Sequence, residues 1–364
     1  MYRRTFARVD LKAYNANVKV LRRMLGPHTQ LLAVVKADAY GHGLVRVARA
    51  AEEAGADWLG VALTEEGEAL RQAGIRLPIL VLGPVNEAGV VGAVRLGLTL
   101  SVFTPAHLRA AQLAAEETGR EAQVHLKLDT GMNRVGVKTE AELMALLEAA
   151  GHARDVRITG AFTHFADGSN PDTRFTDEQL ACFSALTALL PPGLLIHSAA
   201  SATLTRPDAR FDMVRAGIAL YGCPSVPYPE EMLPVLSWQA EITHVKEIAA
   251  GEAVGYGAVY RAPGPMRVAT IAAGYGDGYS RSLSGKGQVL INGRRCPIIG
   301  RLCMDQFMAD VSLAGPVGVG DRAILLGTSG EERITADEIA GWMGTISYEV
   351  LLAISARVPR VYAE

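Results

Sequence analysis

Cysteine is scarce in this sequence: Cys182, Cys223, Cys296 and Cys303 are the only four in 364 residues, and no two form a C-x-x-C pair. That spacing excludes a disulfide-stapled scaffold and fits reduced thiols in a cytoplasm, packed as small hydrophobes. The eight histidines show no His-x-x-x-His or Cys/His ligand spacing, which makes a metal site a poor expectation. An excess of charge is missing too: 36 basic residues face 38 acidic ones, for a net charge of -2. No basic block exceeds the pairs Arg3-Arg4, Arg22-Arg23 and Arg294-Arg295, so neither nucleic acid nor an anionic membrane is expected as partner. No apolar run approaches the about 20 residues of a membrane span. The N-terminus has the arginine pair of an export signal but not the apolar stretch that must follow it, so the chain is read as starting at Met1 and as cytoplasmic.

What is present is a globular composition, 49% apolar and 20% charged. The length suits one large or two ordinary domains and lets about three quarters of the unfolded surface be buried. From Leu31 to Gly222 apolar runs alternate with amphipathic stretches. The runs are Leu31–Val35, Asp57–Ala62, Pro78–Leu82, Leu98–Phe103, Gln123–Asp129, Val156–His164, Leu194–Ala199 and Phe211–Ala219. Helical patterns fall between them at Leu44–Ala54, Thr64–Ala73, Pro105–Thr118, Glu140–Ala150 and Asp177–Leu190. Thr104 before Pro105 reads as a cap, and Thr139 with Glu142 as a capping box. This α/β pattern of strand-then-helix units predicts a (β/α)8 TIM-type barrel with chemistry where the strands end; an open doubly wound sheet is the alternative. Past Leu233 the pattern becomes mainly β, with one helix at Thr335 to Met343 and a hairpin signal at Asn292-Gly293. Two domains follow, 1–232 and 233–364, joined by the proline-rich stretch Cys223 to Pro234.

Polar residues recur at the predicted strand ends. Lys36 continues the face of Leu32 and Val34, where a buried ammonium either has a function or snorkels out of the barrel mouth. Tyr40 and His42 follow it between glycines. His125, Lys127 and Asp129 alternate with Val124, Leu126 and Leu128, and so point into an interior that is normally apolar. Arg134 lies in the loop beyond, suited to gripping a carboxylate. His164 ends the sixth run and reads either as a site residue or as a satisfied core histidine. Ser201 follows the seventh as a phosphate ligand or a plain helix cap. Arg215, Gly217 and Ile218 end the eighth, where this barrel class commonly binds phosphate. A reactive lysine, a phosphate cradle and an arginine able to meet a ring nitrogen together suggest a pyridoxal phosphate site.

The segments Ala33-Val-Val-Lys-Ala-Asp-Ala-Tyr-Gly-His-Gly43, Lys127-Leu-Asp-Thr-Gly-Met-Asn-Arg134, Met213-Val-Arg-Ala-Gly-Ile218, Tyr256-Gly-Ala, Gly274-Tyr-Gly-Asp-Gly278, Gly300-Arg-Leu-Cys-Met-Asp305 and Ile346-Ser-Tyr-Glu349 occur in the order of a known family. The chain resembles the alanine racemases over nearly its whole length. The resemblance implies a homodimeric pyridoxal 5'-phosphate isomerase that interconverts L- and D-alanine for peptidoglycan. It implies that Lys36 holds the cofactor as a Schiff base and serves as one base, with Tyr256 as the other and a relay from Tyr256 through His164 to Arg215. Tyr40, Ser201, Gly217, Ile218 and Tyr348 would hold the phosphate, and Arg215 the pyridine nitrogen. Arg134 and the Met304 backbone would take the substrate carboxylate. Lys127, open to carbamylation in the family, would orient Arg134. Tyr275, Arg281 and Asp305 would line the access path, and the second domain would reach the barrel of a second subunit. Ala200 and Ala356 depart from the pattern, where relatives carry an asparagine and a tyrosine. A broader amino-acid racemase, a decarboxylase of the same architecture and a non-enzymatic pyridoxal phosphate carrier are the rival readings.

Overall fold

A computed structural model describes residues 5–223 and 232–364. Each of the eight expected runs overlaps one strand of a parallel sheet: Gln30–Val34, Trp58–Val61, Ile79–Val81, Thr99–Val102, Ala122–Lys127, Val156–Phe162, Leu195–His197 and Met213–Ala216. The first strand pairs with the eighth, from Gln30 opposite Met213 to Ala33 opposite Ala216. This wraps the sheet into a barrel and excludes the doubly wound alternative, whose outermost strands do not meet. One seam is thin. Between the seventh and eighth strands a single bridge, Ala200 to Arg215, and a 3.0 Å bond from the Arg215 amide to the Ala199 carbonyl complete the closure.

The helices start where their caps direct. The Thr104 hydroxyl accepts the His107 amide to open Pro105–Thr118, and Thr139 and Glu142 cap each other's backbone at the start of Glu140–His152. The helix expected over Asp177–Leu190 instead spans Arg174–Thr187, because Asp172 accepts the Arg174 amide and turns the chain earlier. Among the described residues no helix is long and apolar enough to cross a membrane.

The second domain is built on a nine-stranded sheet centred on the long strand Leu236–Ile248. Asn292 and Gly293 adopt φ of 51° and 73°, the left-handed pair that a type I′ hairpin turn needs, between strands Gln288–Ile291 and Arg294–Ile299. Two expectations need correcting. The strand Phe6–Asp10 lies in this sheet, antiparallel to Leu236–Ile248 and parallel to the last strand Arg360–Ala363, so the barrel does not begin at the chain's start. Its Ala7 and Val9 are fully buried there, an alternation too short to assign from sequence. And the helix at Ala336–Met343, capped by Thr335, is followed by a second, Ser347–Ala353, whose seven residues carry no side-chain cap to announce it. The proposed linker falls largely on residues 224–231, outside the described residues.

Where that linker re-enters, one side chain ties the parts together. Asn17, fully buried on helix Leu11–Leu25, donates to the carbonyls of Leu220 (3.0 Å) and Leu233 (2.7 Å) and accepts the Leu233 amide at 2.7 Å. Asn17→Leu keeps the volume but leaves three backbone groups without partners. At ~1–3 kcal/mol per unsatisfied buried group, a loss of about 3 kcal/mol is expected, read as a lower urea midpoint; an unchanged midpoint would mean water replaces the amide freely.

Candidate active site

A cavity of about 550 Å³ opens at the C-terminal ends of the barrel strands, and among the residues lining it are Lys36, Tyr40, Lys127, Arg134, His164, Ser201, Arg215, Gly217, Ile218 and Tyr348. Every barrel residue singled out for the site is therefore present, with Tyr348 from the second domain.

Lys36 directly follows the first strand at a backbone feature of high energy. Ala37, Asp38, Ala39 and Tyr40 all have φ between 51° and 53°, a left-handed turn that disfavours side chains by roughly 1–2 kcal/mol per residue. Carboxylates hold it. Glu66 accepts the Ala37 amide at 2.6 Å with one oxygen and the amides of Ala62 and Leu63 with the other, and Asp38 accepts the Leu44 amide at 2.7 Å. The turn swings Tyr40 back over the barrel, its ring 4.9 Å from that of Tyr221 and 5.8 Å from that of Tyr348. Burial, together with the Arg134 charge, lowers the Lys36 pKa. Both effects favour the neutral, nucleophilic amine.

On the opposite wall the Arg215 guanidinium is buried in a cage of acceptors. One terminal nitrogen donates to His197 Nδ1 (2.9 Å) and the His197 carbonyl (3.0 Å). The other meets the carbonyls of Thr163 (2.7 Å) and Ser198 (2.9 Å), and His164 Nδ1 at 3.3 Å. Phe162 lies under it, with the guanidinium carbon 5.3 Å from the ring centre. Burial lowers the Arg215 pKa, but five acceptors hold the charge in place. The Nε–H takes no part in these bonds, and Arg215 is one of the residues that line the cavity. His164 is driven down to about 3 by burial first and the Arg215 charge second, and is neutral at any working pH.

A small cradle lies between these walls. Ser201 Oγ accepts the amides of Gly217 (2.8 Å) and Ala219 (3.3 Å) across the seam instead of capping its own turn. A Cβ on Gly217 would come within 2.5 Å of the Tyr40 hydroxyl, so only glycine leaves the cradle open. Burial raises the Tyr348 phenol to about 12, keeping it a neutral donor.

The interior lysine is present as expected. Lys127 is buried with its ammonium 2.7 Å from the Leu128 carbonyl, and burial followed by the Arg215 charge pulls its pKa down to about 7. Asp129 lies beyond the strand's end and orders the loop instead, accepting the amides of Gly131 and Asn133.

The remaining expected residues are not in this cavity. Tyr256, Tyr275 and Met304 are exposed on the second domain at 70%, 42% and 52% of their surface. Asp305 is held by Arg357 at 2.7 Å, and Arg281 is exposed. Of the three residues expected to form a relay, His164 and Arg215 meet within one chain, and Tyr256 lies elsewhere. Sequence reading passed over Glu66, Phe162 and His197. The acid-rich start Thr64-Glu65-Glu66 is the signal for the first; nothing local distinguishes the other two.

Residues 9–225 match the model of the alanine racemase N-terminal domain and residues 235–362 that of the C-terminal domain. The chain is 45% identical to the alanine racemase of Symbiobacterium thermophilum, covering 99% of this chain and 97% of that protein. Its fold is similar to the crystal structure of alanine racemase from Bacillus anthracis with bound L-Ala-P, with a TM-score of 0.92, 36% identity and coverage of 100% and 96%. It is also similar to alanine racemase from Bartonella henselae with covalently bound pyridoxal phosphate, with a TM-score of 0.90, 29% identity and 99% coverage of both chains.

The buried imidazoles have a consequence for stability. Burial lowers His42 to about 4 and His125 and His164 to about 3, and His197 falls with them. Unfolded, each would titrate near 6.5. Between those limits the unfolded chain binds protons that the fold refuses, so stability falls as pH falls, by ~1.4 kcal/mol per pH unit for each histidine. The urea midpoint is expected to drop steeply from pH 6.5 to 4.5; a flat profile there would contradict neutral buried histidines.

Proposed function

Given that the chain belongs to the alanine racemase family, we propose that it interconverts L- and D-alanine by exchanging the Cα proton, with pyridoxal 5'-phosphate seated in the barrel cavity. The observation that carries this reading is the spacing of three unlike functions around one cavity: the Lys36 amine, the Arg215 guanidinium and the Ser201–Gly217 cradle. The donor set suits the cofactor. Lys36 would bond its aldehyde carbon; Tyr40, Ser201, the Gly217 and Ile218 amides and Tyr348 would take its phosphate; Arg215 would meet its ring nitrogen. When bound, the cofactor supplies an electron sink that makes the substrate's Cα–H acidic.

The chain's own groups do the rest. Lys36 Nζ, with its pKa lowered, takes or returns the proton on one face of Cα, and the Tyr256 hydroxyl serves the other face. Arg215, caged and charged, would hold the ring nitrogen without surrendering its proton, which would temper the electron sink and limit side reactions. Arg134 and the Met304 backbone grip the substrate carboxylate, and Lys127 orients Arg134. A lysine pulled down to about 7 is substantially neutral, the form that adds carbon dioxide to become an anionic carbamate beside Arg134. Tyr275, Arg281 and Asp305 shape the approach.

Tyr256 needs a second copy of the chain. Val259 is exposed in the same segment, and Tyr275 and Met304 are exposed on two further turns of the second domain. The turns bearing Tyr275 and Met304 are joined by bonds from the Tyr275 amide to the Cys303 carbonyl (3.1 Å) and from the Gly276 amide to the Met304 carbonyl (2.9 Å). Such a patch suits an interface, and placed over the partner's barrel it would bring Tyr256 opposite Lys36 in a homodimer. The product serves the reactions that consume D-alanine in peptidoglycan.

Tyr256→Phe is expected to keep the cofactor's absorbance and lose about 10²–10⁴-fold in racemisation; an unimpaired rate would place the second base elsewhere. Lys36→Ala should likewise be inactive. Co-refolding the two inactive variants restores one whole site per mixed dimer, so activity should return. Mixed dimers without activity would refute shared sites.

A further inference from the structure

Beneath Arg215 the barrel interior holds two histidines that the proposed chemistry does not use. His125 and His197 are fully buried, with His125 Nδ1 3.0 Å from His197 Nε2 and His197 Nδ1 2.9 Å from the Arg215 guanidinium. Their tautomers follow from one constraint. A guanidinium only donates hydrogen bonds, so His197 Nδ1 must be a bare lone pair. The single proton of neutral His197 then sits on Nε2 and points at His125 Nδ1, which must also be bare. The proton of His125 is left on Nε2.

That last proton has no acceptor. His125 Nε2 is buried without a hydrogen-bond partner, against the Gly160 backbone, where a Cβ would come within 2.8 Å of it, and with the Trp58 ring 5.5 Å from the imidazole. An unsatisfied buried N–H costs ~1–3 kcal/mol, which an apolar residue of similar volume would avoid. A buried polar group with a bond on one side and none on the other invites an explanation in what the made bond does.

We propose that His125 is a positioning residue: it fixes His197 as an acceptor and thereby fixes Arg215 at the cavity wall. Without the His125 lone pair the His197 Nε2–H is left buried with no acceptor, and only the Arg215 contact still holds the ring in that tautomer. In the other tautomer an N–H faces the guanidinium N–H at 2.9 Å, and Arg215 must move. The arginine then no longer presents its donor at one place. The structural claim stands on the chain alone; its effect on turnover rests on the racemase reading.

The test separates the two. Imidazole ¹⁵N spectra of the histidine-labelled holoenzyme should show His197 protonated on Nε2 and His125 protonated on Nε2. Protonation of either on Nδ1 overturns the proposal, whatever the enzyme catalyses. His125→Asn places an amide oxygen where Nδ1 was, and should keep the His197 tautomer and stay within about twofold of the parent kcat. His125→Leu, which strands the His197 Nε2–H, should admit the other His197 tautomer and lower kcat by about tenfold, with KM for alanine changing less than twofold because the carboxylate grip is untouched. A Leu variant with parent kcat and tautomer refutes the role, as does an Asn variant that falls as far as Leu. If neither variant folds, the parent spectrum alone decides. A chain with the expected spectrum and no racemisation would sink the functional reading and leave the tautomer lock intact.

Discussion

The site is organised by one buried charge. Arg215 closes the barrel's thin seam through its backbone and fills the interior beside it with a guanidinium that has five protein acceptors. A charge there imposes order on everything near it. His164 and His197 must be neutral and must turn a lone pair toward it, and the Lys127 pKa falls under the same field. Both terminal nitrogens of the strongest donor are thereby satisfied, at the wall of the cavity. An arginine held in this way can pair with a ring nitrogen without losing its proton, which suits reversible proton exchange better than deeper carbanion chemistry.

The opposite wall is set by strain. Four consecutive left-handed residues after the first strand would unwind in isolation, and the Glu66 carboxylate from a neighbouring helix, with that of Asp38 in the turn itself, holds them. This constraint places Lys36 at the cavity edge and folds Tyr40 over the phosphate cradle in the same turn. Tyr348, from the second domain of the same chain, completes the cradle, so the shape of the cavity and domain packing are linked. The second proton relay does not share this economy. Tyr256 lies exposed on the second domain, and the racemase reading requires another chain to use it.

Much of this was legible in the sequence. The eight apolar runs each overlap a barrel strand because parallel strands buried on both faces leave unbroken apolar patterns. Polar residues that interrupt those runs near their ends, such as Lys36, Lys127, His164 and Arg215, mark the cavity wall because a barrel interior has no other reason to keep them. What stayed hidden depends on contacts distant in sequence. Phe6–Asp10 is five residues long, and only its pairing with strands more than two hundred residues away gives it a place. Helix Ser347–Ala353 lacks a side-chain cap, and Glu66 acts on backbone amides that no local pattern exposes. His197 resembles any apolar-flanked histidine until Arg215 is seen beside it.

In the racemase reading this cavity inverts Cα by removing a proton from one face and delivering one to the other. Incubation of the purified protein with L-alanine and pyridoxal phosphate in heavy water, followed by chiral mass analysis, tests it most directly. The account predicts D-alanine that carries deuterium at Cα from the first turnovers. Unchanged L-alanine under conditions where the cofactor is bound would contradict it, as would D-alanine without deuterium.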